Sequence, residues 1–241
     1  MNFDQFLIPT DAARVCRVLE KLASCGLHQF VLTGSVATGA HGVCLGQIPD
    51  ARPLNDVDIV VGSFDSIPTT LGKNFLVRHI HPLAPEGKML LQLVDSDERV
   101  RVDIFRACGA TMARSQTFAF GAILLQVISL EDLAARLASL SMAIEKGESV
   151  ASKHAEDFKS LLPFVEPEGV ESAWPDQRKL TDAATFKEAS AQVENLMEWR
   201  SNLLVVPKYS RDVNAICPRC EETGPFRLSA ASEIMSVLGY V

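Results

Sequence analysis

Two aspartates stand one residue apart in "NDVDIVV", Asp56 and Asp58. On a strand, residues i and i+2 share a face, so both carboxylates point one way and Val57, Ile59 and Val61 the other. Two carboxylates that close repel, and one keeps its proton unless a cation lies between them. A hard divalent ion such as Mg²⁺ or Mn²⁺ suits carboxylates and keeps positions open for phosphate oxygens. The plain alternative is a strand end with solvated acids. A third acid, Asp103 in "RVRVDIF", lies on another predicted strand, with Arg101 and Arg99 on its face by alternation. It can complete a metal site or take a proton from an attacking hydroxyl; otherwise it is a salt-bridged strand residue. Upstream, "LTGSVATG" turns from strand to helix at Gly34-Ser35. Glycine lets backbone approach a ligand, and a helix start offers unpaired N–H groups to phosphate. A simple N-cap after a tight turn is the alternative there.

Taken together, Gly34-Ser35, then Asp56-Val57-Asp58, then Asp103 resemble the nucleotidyltransferases of the DNA polymerase beta superfamily. "ARPLNDVDIVV" is similar to the branch that holds the AbiEii-like toxins, which carry an Arg and usually a Thr before the acidic pair. Arg52 matches, and Leu54 stands where Thr is common. "SLEDLAARLASL" and "KHAEDFKSLL" resemble the two helices that follow the catalytic sheet in that branch. The resemblance covers residues 10 to 163, with a longer gap before the acidic pair than in compact members. It implies an α/β (α+β) fold: a nucleotidyltransferase-like mixed sheet flanked by helices, followed by a helical C-terminal region. It also implies a reaction, the transfer of NMP from an NTP to an acceptor hydroxyl. Asp56 and Asp58 would hold two Mg²⁺ (or Mn²⁺), and Asp103 would bind the second ion and help remove the hydroxyl proton. Gly34 and Ser35 would hold the β- and γ-phosphates. Arg52, Arg101 and Lys153 are the candidate supporting cations for the nucleotide. Asp157 would orient Lys153 or cap a helix contact. By resemblance alone, the biology is toxin-like, with an antitoxin as partner.

These residues need elements to position them. "DAARVCRVLEKLASCG" has helical spacing and predicts a helix over 10–25. "QFVLTG", "NDVDIVVG", "NFLVRHIHP", "KMLLQLVDS" and "ERVRVDIFRA" read as strands, the last two joined as a hairpin at "SDE". "TFAFGAILLQVIS" reads as one further strand. Ser129 with Asp132 resembles a capping box before a helix. "SVASKHAEDFKSLLPFV" predicts a second helix ended by Pro163, "EPEGVESAWPDQ" a linker, and "TDAATFKEASAQVENLMEWRSNLL" a long helix. The boundaries that follow are 1–128 for the catalytic domain, 129–204 for a helical region and 205–241 for a tail.

The chain has 241 residues, 47% hydrophobic and 22% charged, enough for a sizeable core. No stretch approaches the roughly 18 apolar residues of a membrane span, and the N-terminus lacks a signal-peptide pattern, so the cytoplasm is expected. A net charge of −7 excludes a body that coats itself in nucleic acid, though a local basic patch could still serve RNA. A wide basic face beside the site would favour an RNA acceptor; a closed acidic pocket would favour a small cation, as in nucleotidylation of an antibiotic-like molecule. A binding protein that keeps the fold without turnover is the remaining alternative. Of the six cysteines, Cys16, Cys25, Cys44 and Cys108 read as small core residues. Cys217 and Cys220 supply two zinc ligands where four are needed, so zinc is not expected. His41 reads as a packing residue, and Trp174 and Trp199 as core or interface anchors.

Overall fold

Helix α1 (Pro9–Ser24) begins with proline at its first position and buries Val15, Val18, Leu19 and Leu22, the spacing of one helical face. In the computed structural model, which describes residues 1–47, 51–54, 56–146, 149–179 and 181–199, the fully buried β1 (Val31–Thr33) follows and passes without a loop into α2 (Gly34–Cys44). Next come β2 (Asp56–Val61), the short α3 (Leu71–Asn74), β3 (Leu76–Ile80), β4 (Met89–Asp95) and β5 (Val100–Arg106). The one-turn α4 (Thr111–Arg114) leads to β6 (Gln116–Phe120) and β7 (Ile123–Val127). The remaining elements are helices: α5 (Leu130–Ser141), α6 (Ser149–Leu161), α7 (Pro167–Gln177) and α8 (Phe186–Trp199).

The strands form one mixed sheet in the order β3-β4-β5-β2-β1-β7-β6. β2 runs parallel to β5 and antiparallel to β1, β1 runs parallel to β7, and the outer pairs are antiparallel. This is the mixed α/β architecture expected from the sequence, a sheet flanked by helices with a helical part after it. β2 lies near the middle of the sheet, and Val57, Ile59 and Val61 are wholly buried on its apolar face. An ion in that layer would be costly, so the acids of β2 must occupy the other face. α5 is buried on almost every side and packs on α2, α6, α7 and α8. Among the described residues, no helix is long and apolar enough to cross a membrane.

Four expectations change. "TFAFGAILLQVIS" folds as the hairpin β6–β7, turning at Gly121 with φ 59°, a conformation glycine adopts without strain. The linker "EPEGVESAWPDQ" is helix α7. Pro167 sits in its first turn, where no N–H partner is needed, and Val170, Ala173, Trp174 and Gln177 repeat at helical spacing into the core. The Trp174 indole donates to the Ala183 carbonyl at 3.1 Å. α8 starts at Phe186 rather than near 181, because Thr185 and Glu188 cap each other's backbone N–H groups. Among the cysteines, Cys25 and Cys108 are buried, Cys16 is half-buried and Cys44 is exposed rather than core. Cys217, Cys220 and the 205–241 tail lie outside the described residues, as does the side chain of Trp199.

Candidate active site

Strand register builds the site. Asp58 on β2 pairs with Thr33 on β1 and with Asp103 on β5, and Asp103 pairs with Gln92 on β4. Two residues along, Asp56 faces Arg101. Period-two alternation puts Asp56, Asp58, Arg101 and Asp103 on one face as a square of three acids and one guanidinium. A carboxylate oxygen from each acid lies within 4.8 Å of the others.

The guanidinium is already engaged. Arg101 Nε donates to Asp103 Oδ1 at 3.0 Å, and its Nη2 meets Asp56 Oδ2. Gln92 Nε2 donates to the same Asp103 oxygen at 2.8 Å. Arg101 is 5% exposed and Asp103 1%, so this clamp works with little water to weaken it. Asp58 carries the remaining strain. Burial, followed by the charges of Asp56 and Asp103, pushes its carboxyl well above the usual carboxylate range, while Arg136 and Arg101 pull the other way. A carboxyl in that state ionises readily only when a cation sits beside it. Three hard oxygen donors gathered this closely, with one arginine against three acids, fit a divalent ion of the Mg²⁺ or Mn²⁺ type.

Gly34 sits against this square. Its φ is 63°, and a Cβ there would run into the Asp58 carboxylate. Only glycine both adopts that backbone without cost and leaves the acid its place. Gly34→Ala is therefore expected to lower the melting temperature by roughly 4–8 °C, from about 2 kcal/mol at about 2–4 °C each. It should also displace Asp58, which a Mn²⁺ titration would register as weakened binding.

A cavity of about 250 Å³ opens beside the acids, between the sheet and helices α5 and α6. Ser35, Asp56 and Asp58 line one wall, and Arg136, Lys153 and His154 the other. Of the residues expected to bind nucleotide, Gly34, Ser35 and Lys153 line this cavity, and Arg101 and Arg52 do not. Arg52 is half exposed and donates to Asp157 Oδ1 at 2.6 Å. Asp157 thus holds Arg52, where Lys153 or a helix contact was expected. The Arg52 backbone pairs with the N-terminal segment, through Arg52 N to the Phe6 carbonyl at 3.1 Å. Arg99, expected on the Asp103 face, instead occupies the β4–β5 turn with φ 53°. His41 is buried with Nε2 2.7 Å from the Ile128 carbonyl, and burial lowers its pKa.

Sequence reading missed Arg136 and Gln92. The signals were present. Arg136 is the lone basic residue of α5, a helix otherwise mostly buried. Gln92 interrupts the apolar run "MLLQLV".

No protein-family model matches the sequence, and a search of curated proteins gives no match. Among solved structures, the chain is similar to an antigenic nucleotidyltransferase-like protein from Paracoccidioides brasiliensis, at 18% identity over 80% of this chain and 89% of that one, with a TM-score of 0.45. It is also similar to a proposed nucleotidyltransferase from H. pylori, at 13% identity over 76% of this chain and 95% of that one, with a TM-score of 0.29. At these values neither similarity fixes a family or an activity.

Proposed function

We propose that this chain is a divalent-metal-dependent nucleotidyltransferase that moves NMP from an NTP to an acceptor hydroxyl. The observation that carries this reading is the gathering of Asp56, Asp58 and Asp103 within 4.8 Å, beside a cavity bounded by Gly34 and Ser35. Asp56, Asp58 and Asp103 would hold Mg²⁺ or Mn²⁺, which when bound neutralises phosphate charge and brings the acceptor oxygen in line. Gly34 and Ser35 would receive phosphate at the start of α2. Asp103 would take the acceptor's proton, its Oδ1 held in place by Gln92 and Arg101. Lys153 would add positive charge from α6. Arg52 would act at a distance, by fixing α6 through Asp157.

For the acceptor, the net charge of −7 favours a small molecule over RNA. The resemblance of "RPLNDVD" to the AbiEii-like branch supports a cytoplasmic toxin held in check by an antitoxin.

The test is transfer of label from each α-³²P NTP, with Mg²⁺ or Mn²⁺, to RNA, protein or aminoglycoside-type acceptors. Wild type should label one acceptor class in a metal-dependent way, and Asp103→Asn should not. Absence of label under every condition, or equal label from the variant, would leave a nucleotide-binding protein without turnover.

A further inference from the structure

Thr33 ends β1 and stands at the N-cap of α2. A threonine there ordinarily turns its hydroxyl onto the free N–H groups of the first helical turn. This one makes no cap bond. It is 1% exposed, and its Oγ1 has no hydrogen-bond partner among the described residues. Asp95 and Gln177, also buried, each leave one oxygen over, but both bond through their other polar atom. Thr33 has no other polar side-chain atom. A hydroxyl buried without a partner is costly, and replacing it by a methyl group of the same shape relieves that cost. For packing alone, valine would serve better.

The position of the hydroxyl points to its use. Thr33 pairs with Asp58 across the β1–β2 ladder, on the face that carries the acids, and both line the cavity. Side chains opposed in this way stand about 4.5–5.5 Å apart at Cβ, so a turn about one bond can bring a hydroxyl onto a carboxylate. The Asp58 carboxylate lies against Gly34, the residue after Thr33. Its two companions are anchored: Arg101 bonds to Asp56 and to Asp103, and Gln92 bonds to Asp103 as well. Asp58 makes no hydrogen bond or ion pair among the described residues. A carboxylate that ligates an ion is ordinarily steadied by a hydrogen bond from a group behind it. Here a donor without an acceptor and an acceptor without a donor face each other on paired strands.

We propose that Thr33 is the positioning residue of Asp58. Its hydroxyl donates to one oxygen of the Asp58 carboxylate when the three acids hold a divalent ion, and so aims the other oxygen at that ion. The α2 cap is forgone in favour of this bond. The assignment rests on the nucleotidyltransferase reading and goes beyond it, by naming what holds the one acid of the three that Arg101 does not bond.

Calorimetric titration of the full chain with Mn²⁺, beside thermal melts in chelator, tests it. Thr33→Val should weaken Mn²⁺ by roughly tenfold or more, and Thr33→Ser, which keeps the hydroxyl, should stay within about threefold of wild type. In chelator the valine variant should melt at or above wild type, since it removes an unsatisfied buried group. Unchanged Mn²⁺ affinity in Thr33→Val overturns the proposal. A serine variant as weak as the valine one also overturns it, by assigning the effect to packing of the methyl group. So does a valine variant that melts lower in chelator, which would make the hydroxyl a cap of α2. If folded wild type binds no Mn²⁺, the metal-dependent transferase reading fails and this role with it. If wild type binds Mn²⁺ and the valine variant matches it, only the role of Thr33 fails.

Discussion

Asp58→Asn should lose at least about a thousandfold in transfer rate and yet, without metal, melt higher than wild type. The two effects have one cause. The folded chain holds Asp58 between Asp56 and Asp103 with its carboxyl pushed well above the usual range. The native state therefore keeps a proton that the unfolded chain releases. Below the unfolded value this costs nothing. As pH rises from there through the raised native value, stability is lost progressively. Asparagine avoids that loss, so the difference should be largest near pH 8 in chelator and vanish toward pH 4. Each 1 kcal/mol recovered is about 2–4 °C in Tm for a chain of this size. With Mg²⁺ the order should reverse, because binding stabilises only the chain that can hold the ion, by about 2.7 kcal/mol at a hundredfold excess over Kd. A thermal-shift series across pH, with and without metal, reads both halves. An asparagine variant that melts no higher than wild type in chelator at pH 8 would contradict the account.

The opposite outcome is expected at Asp132. Its side chain is wholly buried, and its carboxylate accepts from Arg114 Nε and Nη2 at 2.7 Å each, from Gln177 Nε2 at 2.8 Å and from Ser129 Oγ at 2.9 Å. Thr111 Oγ1 stands 3.3 Å away and takes a second bond from Gln177. Three helices, α4, α5 and α7, are joined through this one group. Asp132→Ala leaves these donors buried without it and Arg114 with Asp176 alone. Breaking a buried pair of this kind costs about 3–5 kcal/mol, or a Tm lower by roughly 6–20 °C. Asp132 does not line the cavity, so molecules that remain folded should keep their Mg²⁺ affinity. Urea melts beside Mn²⁺ titrations separate the two. Loss of ion binding in step with Asp58→Asn would show that the two networks are coupled.

These cases mark what the chain betrayed in one dimension. Alternation along "NDVDIVV" and "RVRVDIF" put Asp56, Asp58, Arg101 and Asp103 on polar faces, because side-chain direction in a strand is a local property. It could not say that Asp58 and Asp103 would be neighbours, since register between distant strands is set by the whole sheet. Arg101 looked like a ligand for phosphate for the same reason: its face was readable and its partner was not. Ser129 and Asp132 were legible as a cap, and the cap forms, with Asp132 N donating to Ser129 Oγ at 3.0 Å. The other donors to Asp132 come from residues far off in sequence and leave no local trace. α7 carries two prolines, Pro167 and Pro175, the first at a favoured helix start, and its stretch reads as a linker. The β6–β7 turn was missed by passing over Gly121.

Arg101 bears on the order of assembly. Proteins that gather acids for a metal often cannot close until the ion arrives. Here one permanent positive charge is woven into the sheet itself and tethers two of the three acids from within. Such a chain can finish folding empty and be loaded afterwards, so dialysis against a chelator should silence it without unravelling it.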